Sequence, residues 1–104
     1  SPRPNGVSTT YFGFGGRCRS TLGHRLAEGI LDEVCARTGL THCRTHPRPI
    51  EILRLARASG VVLDVGYLTS PYDADILVSA NGFDAIATGV VAALENFFRT
   101  TDPY

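Results

Sequence analysis

The spacing of apolar side chains predicts a long amphipathic helix in the first third of the chain. Apolar residues recur there at every fourth position: Leu22, Leu26, Ile30 and Val34. This spacing places them on one face of an α-helix of about five turns. Ser20 or Thr21 can cap its start, and Gly39 can end it in the left-handed conformation. His24 lies one turn before Glu28, so we expect a surface ion pair there.

The last third of the chain predicts two more helices. Ser70, Pro71 and Asp73 form a helix start, with a hydroxyl cap, a proline in the first turn and an acid at the third position. A longer helix follows, which we expect Asn81 to cap and which ends near Arg99. Its predicted apolar stripe consists of Phe83, Ile86, Ala87, Val90, Leu94, Phe97 and Phe98.

Three short runs predict strands. Residues 7–14 are rich in β-branched and aromatic side chains, residues 50–53 are mostly apolar, and residues 61–65 form an apolar run behind a glycine. Residues 41–49 contain two prolines and are predicted to be a polar connector. The predicted order is β-α-β-β-α-α. We therefore expect an α/β fold with a partly parallel, mixed sheet flanked by helices. Three strands are few for such a sheet, so we expect the chain to be part of a larger domain.

Composition narrows the classes of partner. The chain has 104 residues, enough for one domain and one core, and its net charge is zero. No strong field therefore favours nucleic acid, and no apolar run is long enough to predict insertion into a membrane. The three cysteines are an odd number without regular spacing, which favours a reducing cytoplasm over a secreted disulfide framework. Cys35 lies in the helical pattern and should pack as a small apolar residue.

Asp64 is the strongest candidate for chemistry. It is the single charge near the end of the apolar run of residues 61–65. Sites in α/β folds form at the carboxyl ends of strands, and a buried carboxylate needs a partner or a function. We expect Asp64 to be buried, with Leu63 and Val65 pointing to the opposite face of the sheet. Two structural interpretations stay open: Asp64 caps the following turn, or it pairs with an arginine.

Two other polar clusters are weaker candidates. The glycine-rich run of residues 13–20 lies between a predicted strand and a helix, where phosphate groups can bind. It lacks both the dinucleotide and the P-loop pattern. His42, Cys43 and His46 are close in sequence and could hold zinc, but they lack the paired spacing of structural zinc sites.

Three segments resemble the C-terminal half of the zinc-dependent N-acetylmuramoyl-L-alanine amidases. They are PIEILR at residues 49–54, VVLDVGYLTSPYDADIL at residues 61–77 and IATGVVAALENFF at residues 86–98. Those enzymes hydrolyse the amide bond between muramic acid and the peptide stem of peptidoglycan. The resemblance covers nearly the whole chain and implies that residues 1–104 are the C-terminal portion of a single amidase-like domain.

The resemblance implies a role for Asp64 and shows two departures from the family. Asp64 corresponds to the family's catalytic glutamate, and Ser70 corresponds to a later asparagine of the family pattern. The family binds zinc through two histidines and one glutamate that precede the segment where this chain starts. The resemblance therefore implies no metal ligand and no cofactor-binding residue in this chain.

The sequence around this aspartate, VLDVGYLTSP, is similar to the CwlM-like branch of the family in mycobacteria and their relatives. This implies a degenerate amidase in the cytoplasm that regulates peptidoglycan synthesis through precursor-synthesis or export proteins. The alternative is a fragment of an active zinc amidase of the cell envelope with Asp64 as general base. A third possibility is a plain structural or peptidoglycan-binding domain. An uncovered sheet edge or apolar face would also promote self-association.

Overall fold

Helices and strands alternate along the chain around a sheet of three strands. The computed structural model describes residues 4–13, 20–55 and 60–100. The elements are β1 (Val7–Phe12), α1 (Thr21–Thr38), β2 (His42–Arg48), α2 (Glu51–Leu55), β3 (Val61–Asp64), α3 (Pro71–Leu77) and α4 (Ala80–Thr100). The strand order is β2-β1-β3, with β1 parallel to β2 and antiparallel to β3. The predicted α/β class, with a mixed sheet flanked by helices, is confirmed.

The two faces of the sheet differ in what covers them. On the face toward α1, Thr9 Oγ1 donates a hydrogen bond of 3.0 Å to the carbonyl of Ala27, and Tyr11 is buried. Leu63 of β3 packs against the same core. Because side chains alternate along a strand, Ser8 lies on the opposite face, where it is only half-buried. The apolar core therefore lies on the face toward α1, although Thr10 on the other face is also buried.

Helix α1 begins and ends at the residues that the sequence predicts. Ser20 caps its start, and its Oγ accepts a hydrogen bond of 2.9 Å from the Gly23 N–H. Gly39 ends it in the left-handed region, with a φ of 75°. Its buried residues are Gly23, Leu26, Ala27, Ile30, Leu31 and Val34. Leu22, the first residue of the predicted stripe, is exposed, while the next residue, Gly23, is buried in its place.

Small residues let α4 approach α1 closely. A Cβ atom added at Gly89 would lie 3.1 Å from backbone atoms of Glu33 and Val34, so the two helix backbones almost touch there. Ala93, one turn further along α4, is buried beside Gly29 of α1. Larger side chains of α4 then pack around this contact: Ile86, Val90, Leu94 and Phe97. The core of the molecule is thus formed by the sheet, α1 and the inner side of α4.

The remaining apolar residues of α4 lie outside the core. Phe83, Ala87 and Phe98 are exposed, so their predicted place in the buried stripe is wrong. Helix α4 is apolar on more than one side, and only one side can face α1. Among the described residues, no single helix is long and apolar enough to cross a membrane; only α3 and α4 together pass that test, and they are bent by 81°.

The predicted cap holds for α3 and fails for α4. Ser70 Oγ accepts a hydrogen bond of 3.3 Å from the Asp73 N–H at the start of α3. The start of α4 is capped by Ser79, whose Oγ accepts from the Gly82 N–H at 2.9 Å. Asn81 is therefore not the cap, because the helix already begins at residue 80.

Residues 41–49 were predicted as a polar connector, and this prediction is wrong because they contain β2. Within the part of the chain that the structure describes, this strand pairs only with β1 and is therefore an edge strand, and none of its residues is fully buried. A proline is tolerated at an edge, which explains Pro47 inside the strand. Arg44 has a φ of 69° where the register between β1 and β2 shifts, as in a β-bulge.

The predicted strand at residues 50–53 is also wrong, since this segment belongs to the short helix α2. The Ile50 carbonyl accepts hydrogen bonds from the N–H groups of Leu53 and Arg54, both at 3.0 Å. Glu51 and Arg54 form an ion pair across the same turn. Helical hydrogen bonds from the Ile50 carbonyl thus replace the predicted strand. The observed order is β-α-β-α-β-α-α.

The contact at Gly89 predicts opposite effects for two glycine-to-alanine substitutions on facing helices. Gly89→Ala should push α4 from α1 and lower the free energy of unfolding by about 1 kcal/mol or more. Gly29→Ala has its nearest neighbour, Ala93 Cβ, at 3.9 Å. It should raise the free energy of unfolding by up to about 1 kcal/mol, because alanine favours the helix. Urea denaturation measures both values, and equal effects would contradict this packing.

Candidate functional site

Asp64 is the last residue of β3 and lies at the carboxyl end of its strand, as predicted. It pairs with Ser8 across the antiparallel ladder. Asp64 is exposed, so its predicted burial is wrong. It lies on the sheet face opposite α1, and no described element covers that face at this end. Leu63 points the other way and packs against the core, which confirms the prediction for Leu63. Val65 lies beyond the end of β3, so the prediction for its side chain is not tested by the strand.

The Asp64 side chain is exposed. Within the described ranges, no ion pair includes it. The structure therefore gives no support to an arginine partner for Asp64 among those residues. Its sheet face continues through Thr10 of β1 and His46 of β2, which are register partners. A carboxylate at such a position can accept a proton from a water molecule or from a ligand on the open face.

Asp73 is a second carboxylate near this site, and sequence analysis missed its role. Its side chain is fully buried. The Oδ2 atom accepts hydrogen bonds from the N–H groups of Gly6, at 2.7 Å, and Tyr67, at 3.1 Å. Oδ1 is also buried and has no hydrogen-bond partner in the described part of the chain. A buried carboxylate that accepts backbone N–H groups forms charge-assisted hydrogen bonds, the stronger class of such bonds.

The bonds of Asp73 fix the backbone on both sides of Asp64. Gly6 immediately precedes β1, whose Ser8 pairs with Asp64, and Tyr67 lies in the loop that leaves β3. Gly66 has a φ of 117°, and a Cβ atom there would lie 3.1 Å from Asp73 Oδ2. Glycine is therefore required at this position. The sequence signal for this arrangement was a glycine after the strand followed by the acid of a capped helix start.

The histidines of α1 and β2 have local partners. His24 Nε2 lies 2.9 Å from Glu28 Oε1, which confirms the predicted surface pair. The His24 ring also stacks on Tyr11, with ring centroids 4.5 Å apart. His42 Nε2 lies 3.2 Å from Asp32 Oδ1. His24 therefore links α1 to β1 through Tyr11, and His42 links β2 to α1 through Asp32.

The candidate zinc cluster does not converge on a shared centre. Cys43 Sγ donates to the Asn5 carbonyl at 3.1 Å, and His46 Nε2 lies 3.0 Å from the Cys43 carbonyl oxygen. His42 is engaged with Asp32 instead. Nowhere in residues 4–13, 20–55 and 60–100 does a group of three or more His, Cys, Asp or Glu side chains form a metal site.

Cys35 packs against the apolar core, as predicted. Burial raises the pKa of its thiol, and the nearby Asp32 and Cys43 raise this pKa further. The thiol therefore stays protonated, and only a thiolate is a strong nucleophile. Cys35 and Cys43 are both free cysteines. The glycine-rich run considered for phosphate lies largely outside the described residues, at positions 14–19, together with Cys18.

The fold and the segments around Asp64 define a class of protein. Residues 1–96 match the family model described as N-acetylmuramoyl-L-alanine amidase. The chain therefore belongs to the N-acetylmuramoyl-L-alanine amidase family. Among curated proteins, it is similar to the N-acetylmuramoyl-L-alanine amidase CwlM of Mycobacterium tuberculosis (strain ATCC 25618 / H37Rv). The two are 46% identical over 94 residues, which are 90% of this chain and 23% of CwlM. The predicted resemblance to this family and branch is confirmed.

Solved structures of amidases share the fold. The N-acetylmuramoyl-L-alanine amidase from Clostridium difficile 630 superposes with a TM-score of 0.83 at 17% identity, over 98% of this chain and 53% of that one. The amidase Ami1 from Mycobacterium smegmatis superposes with a TM-score of 0.80 at 21% identity, over 97% of this chain and 50% of that one. The chain thus spans about half the length of these structures and about a quarter of CwlM.

The buried carboxylate predicts a graded loss of stability. Asp73→Ala should leave the Gly6 and Tyr67 N–H groups without a partner and lower the free energy of unfolding by about 3 kcal/mol or more. Asp73→Asn should lose less, because its amide oxygen can still accept from both groups. Asp75→Ala, on the exposed side of α3, is the matched control and should change stability by less than about 0.5 kcal/mol. Chemical denaturation measures the three free energies of unfolding. If Asp73→Ala left the free energy of unfolding unchanged, that would contradict the role of the Asp73 clamp, the pair of hydrogen bonds from Gly6 and Tyr67 to Oδ2.

Proposed function

We propose that this domain is a catalytically degenerate amidase that regulates peptidoglycan synthesis by binding protein partners. One observation supports this most directly: an aspartate, Asp64, stands at the end of β3, where the resemblance places the family's catalytic glutamate. The backbone there is held in place by Asp73. In this proposal the domain keeps the strand end that carries the family's acid, while the acid itself is shorter.

The shorter acid is a physical argument for weakened catalysis. Aspartate holds its carboxylate one carbon–carbon bond, about 1.5 Å, closer to the backbone than glutamate does. A displacement of about 1 Å in a reacting group can reduce the rate about a hundredfold. Asp64 is paired with Ser8, and Asp73 binds the backbone at Gly6 and Tyr67 on either side. These bonds oppose the backbone movement that would be needed to bring the shorter acid to the position of the glutamate carboxylate.

The zinc of the family does not fit the described residues. They include no group of three or more ligands that could hold a metal ion. On the family resemblance, zinc would be bound by residues that precede this segment in related proteins. The described residues would then contribute Asp64 and its supporting loops, and no metal ligand.

Binding of partners is consistent with the surface of the domain. The sheet face around Asp64 is open, and large apolar side chains beside it are exposed, including Tyr67 and Leu68. A fold that has lost its chemistry can still present its former cleft, because function resides in sites rather than in folds. We propose precursor-synthesis or export proteins as partners, with peptidoglycan itself as another ligand. The free thiols of Cys35 and Cys43 support a cytoplasmic location.

The second candidate function is hydrolysis, with Asp64 as the general base of an active zinc amidase. Its exposure favours this alternative, since a base must reach water and substrate. Aspartate could act through a bridging water molecule across the missing length. The relative CwlM is itself named an N-acetylmuramoyl-L-alanine amidase. This alternative would place the protein in the cell envelope, where peptidoglycan is accessible.

A gain-of-function substitution separates the two candidates. The full-length protein, supplied with zinc, should release no stem peptide from purified muropeptides at ordinary enzymatic rates. If the shorter side chain of Asp64 is the only defect, Asp64→Glu should raise the rate of stem-peptide release by about a hundredfold. Chromatography of the reaction products measures this release.

Two controls complete this experiment. Asp64→Ala should weaken co-purification with precursor-synthesis proteins if the role is regulatory, because Asp64 lies in the surface proposed to bind them. Asp75→Glu lengthens an exposed acid elsewhere and should have no effect on hydrolysis. Release of stem peptide by the wild type, abolished by Asp64→Ala, would establish an amidase and contradict the regulatory proposal.

A further inference from the structure

Apolar side chains are exposed on the side of α4 that faces away from α1, and no helix or strand of residues 4–13, 20–55 and 60–100 covers them. Val91 and Phe98 are 52% and 73% exposed, and Ala87 is exposed beside them. These three residues follow one line along the helix, because positions four and seven apart share a side. They form the outer strip of α4. The buried Gly89 and Ala93 lie on the opposite side of the same helix.

A shallow depression of about 360 Å³ crosses the middle of the outer strip. It is lined by Ala87, Thr88, Val91, Ala92 and Glu95. Most of these side chains are small, so another helix can approach the α4 backbone closely here. Exposed apolar surface of this kind favours association, since burial removes it from water.

The two ends of the outer strip carry opposite charges. Asp84 lies near its start and Arg99 near its end, and both are exposed. They are fifteen residues apart, or about 22 Å along the helix. Arg99 donates one hydrogen bond of 2.8 Å to Asn96 Oδ1, and its guanidinium has five N–H donors in all. The midpoint between the two charges falls at Val91 and Ala92, inside the depression.

This arrangement is self-complementary, and we propose that a second copy of this chain docks on the outer strip. Helix α4 of each copy packs antiparallel to α4 of the other, with a two-fold axis through the depression. Asp84 of each copy then faces Arg99 of the other copy, and the two Val91 side chains meet near the axis. Because a two-fold interface uses the same surface twice, both ion pairs form together.

Other occupants match these charges less well. A parallel pair of α4 helices would bring the two Asp84 carboxylates together. An anionic membrane surface would face two carboxylates, Asp84 and Glu95, for the single cation of Arg99. The outer strip is separate from the candidate active site, because Asp64 lies on the sheet face opposite α1. The proposal therefore holds whether or not the domain hydrolyses amides.

Charge reversal at the two ends of the outer strip tests this pairing. Analytical ultracentrifugation of the full chain should show a reversible monomer–dimer equilibrium. Asp84→Arg and Arg99→Asp should each raise the dimer dissociation constant by about tenfold or more, since each creates two like-charge contacts per dimer. The double variant, Asp84→Arg with Arg99→Asp, should restore the wild-type constant, because both ion pairs re-form with reversed polarity.

Further variants exclude indirect effects. Val91→Glu places a charge at the two-fold axis of the dimer. Because Val91 is exposed in the single chain, this variant should be a monomer with an unchanged circular dichroism spectrum. Glu51→Arg on α2 is the matched charge reversal away from the outer strip and should leave the constant unchanged. A wild type that stays monomeric at all concentrations, or a dimer that Val91→Glu leaves intact, would overturn the proposal. Failure of the double variant to restore pairing, or binding of the monomer to anionic vesicles without dimer formation, would overturn it too.

Discussion

Burial of α1 from two sides is the constraint on which this structure depends. The sheet covers one side through residues such as Val7, and α4 covers the other through its contact at Gly89. Ala27, Leu31 and Val34 have no exposed surface as a result. Complete burial of a valine or leucine side chain contributes about 1.5–3 kcal/mol. Loss of either neighbour would expose part of the same stripe, so the sheet and α4 stabilise each other through the helix between them.

The predictable parts of the fold are those with local signals. The hydroxyl of Ser20, the left-handed Gly39 and the hydroxyl of Ser70 mark helix ends by bonds within a few residues, and all three were identified from sequence. Strand β2 has no such signal, because an edge strand half covered by its neighbours shows no apolar alternation. The single turn of α2 is too short for its period to be distinguished from that of a strand.

The candidate site shows the same division between local and distant information. The place of Asp64 at a strand end follows from the apolar run before it. Its exposure does not, because burial depends on which segments cover the opposite sheet face. Asp73 is recognisable in sequence as the acid of a capped helix start, but its partners Gly6 and Tyr67 come from other elements. Only the folded chain brings the three together.

The hydrogen bond between Gly6 and Asp73 also has a kinetic consequence. It joins residues separated by 67 positions in the sequence, so closing that loop costs chain entropy before any bond energy is gained. The bond requires the start of β1 and the loop after β3 to be in register already. We therefore expect the clamp to form late in folding. Interactions that form after the transition state mainly slow unfolding, so this carboxylate would determine how long the native sheet persists rather than how quickly it forms.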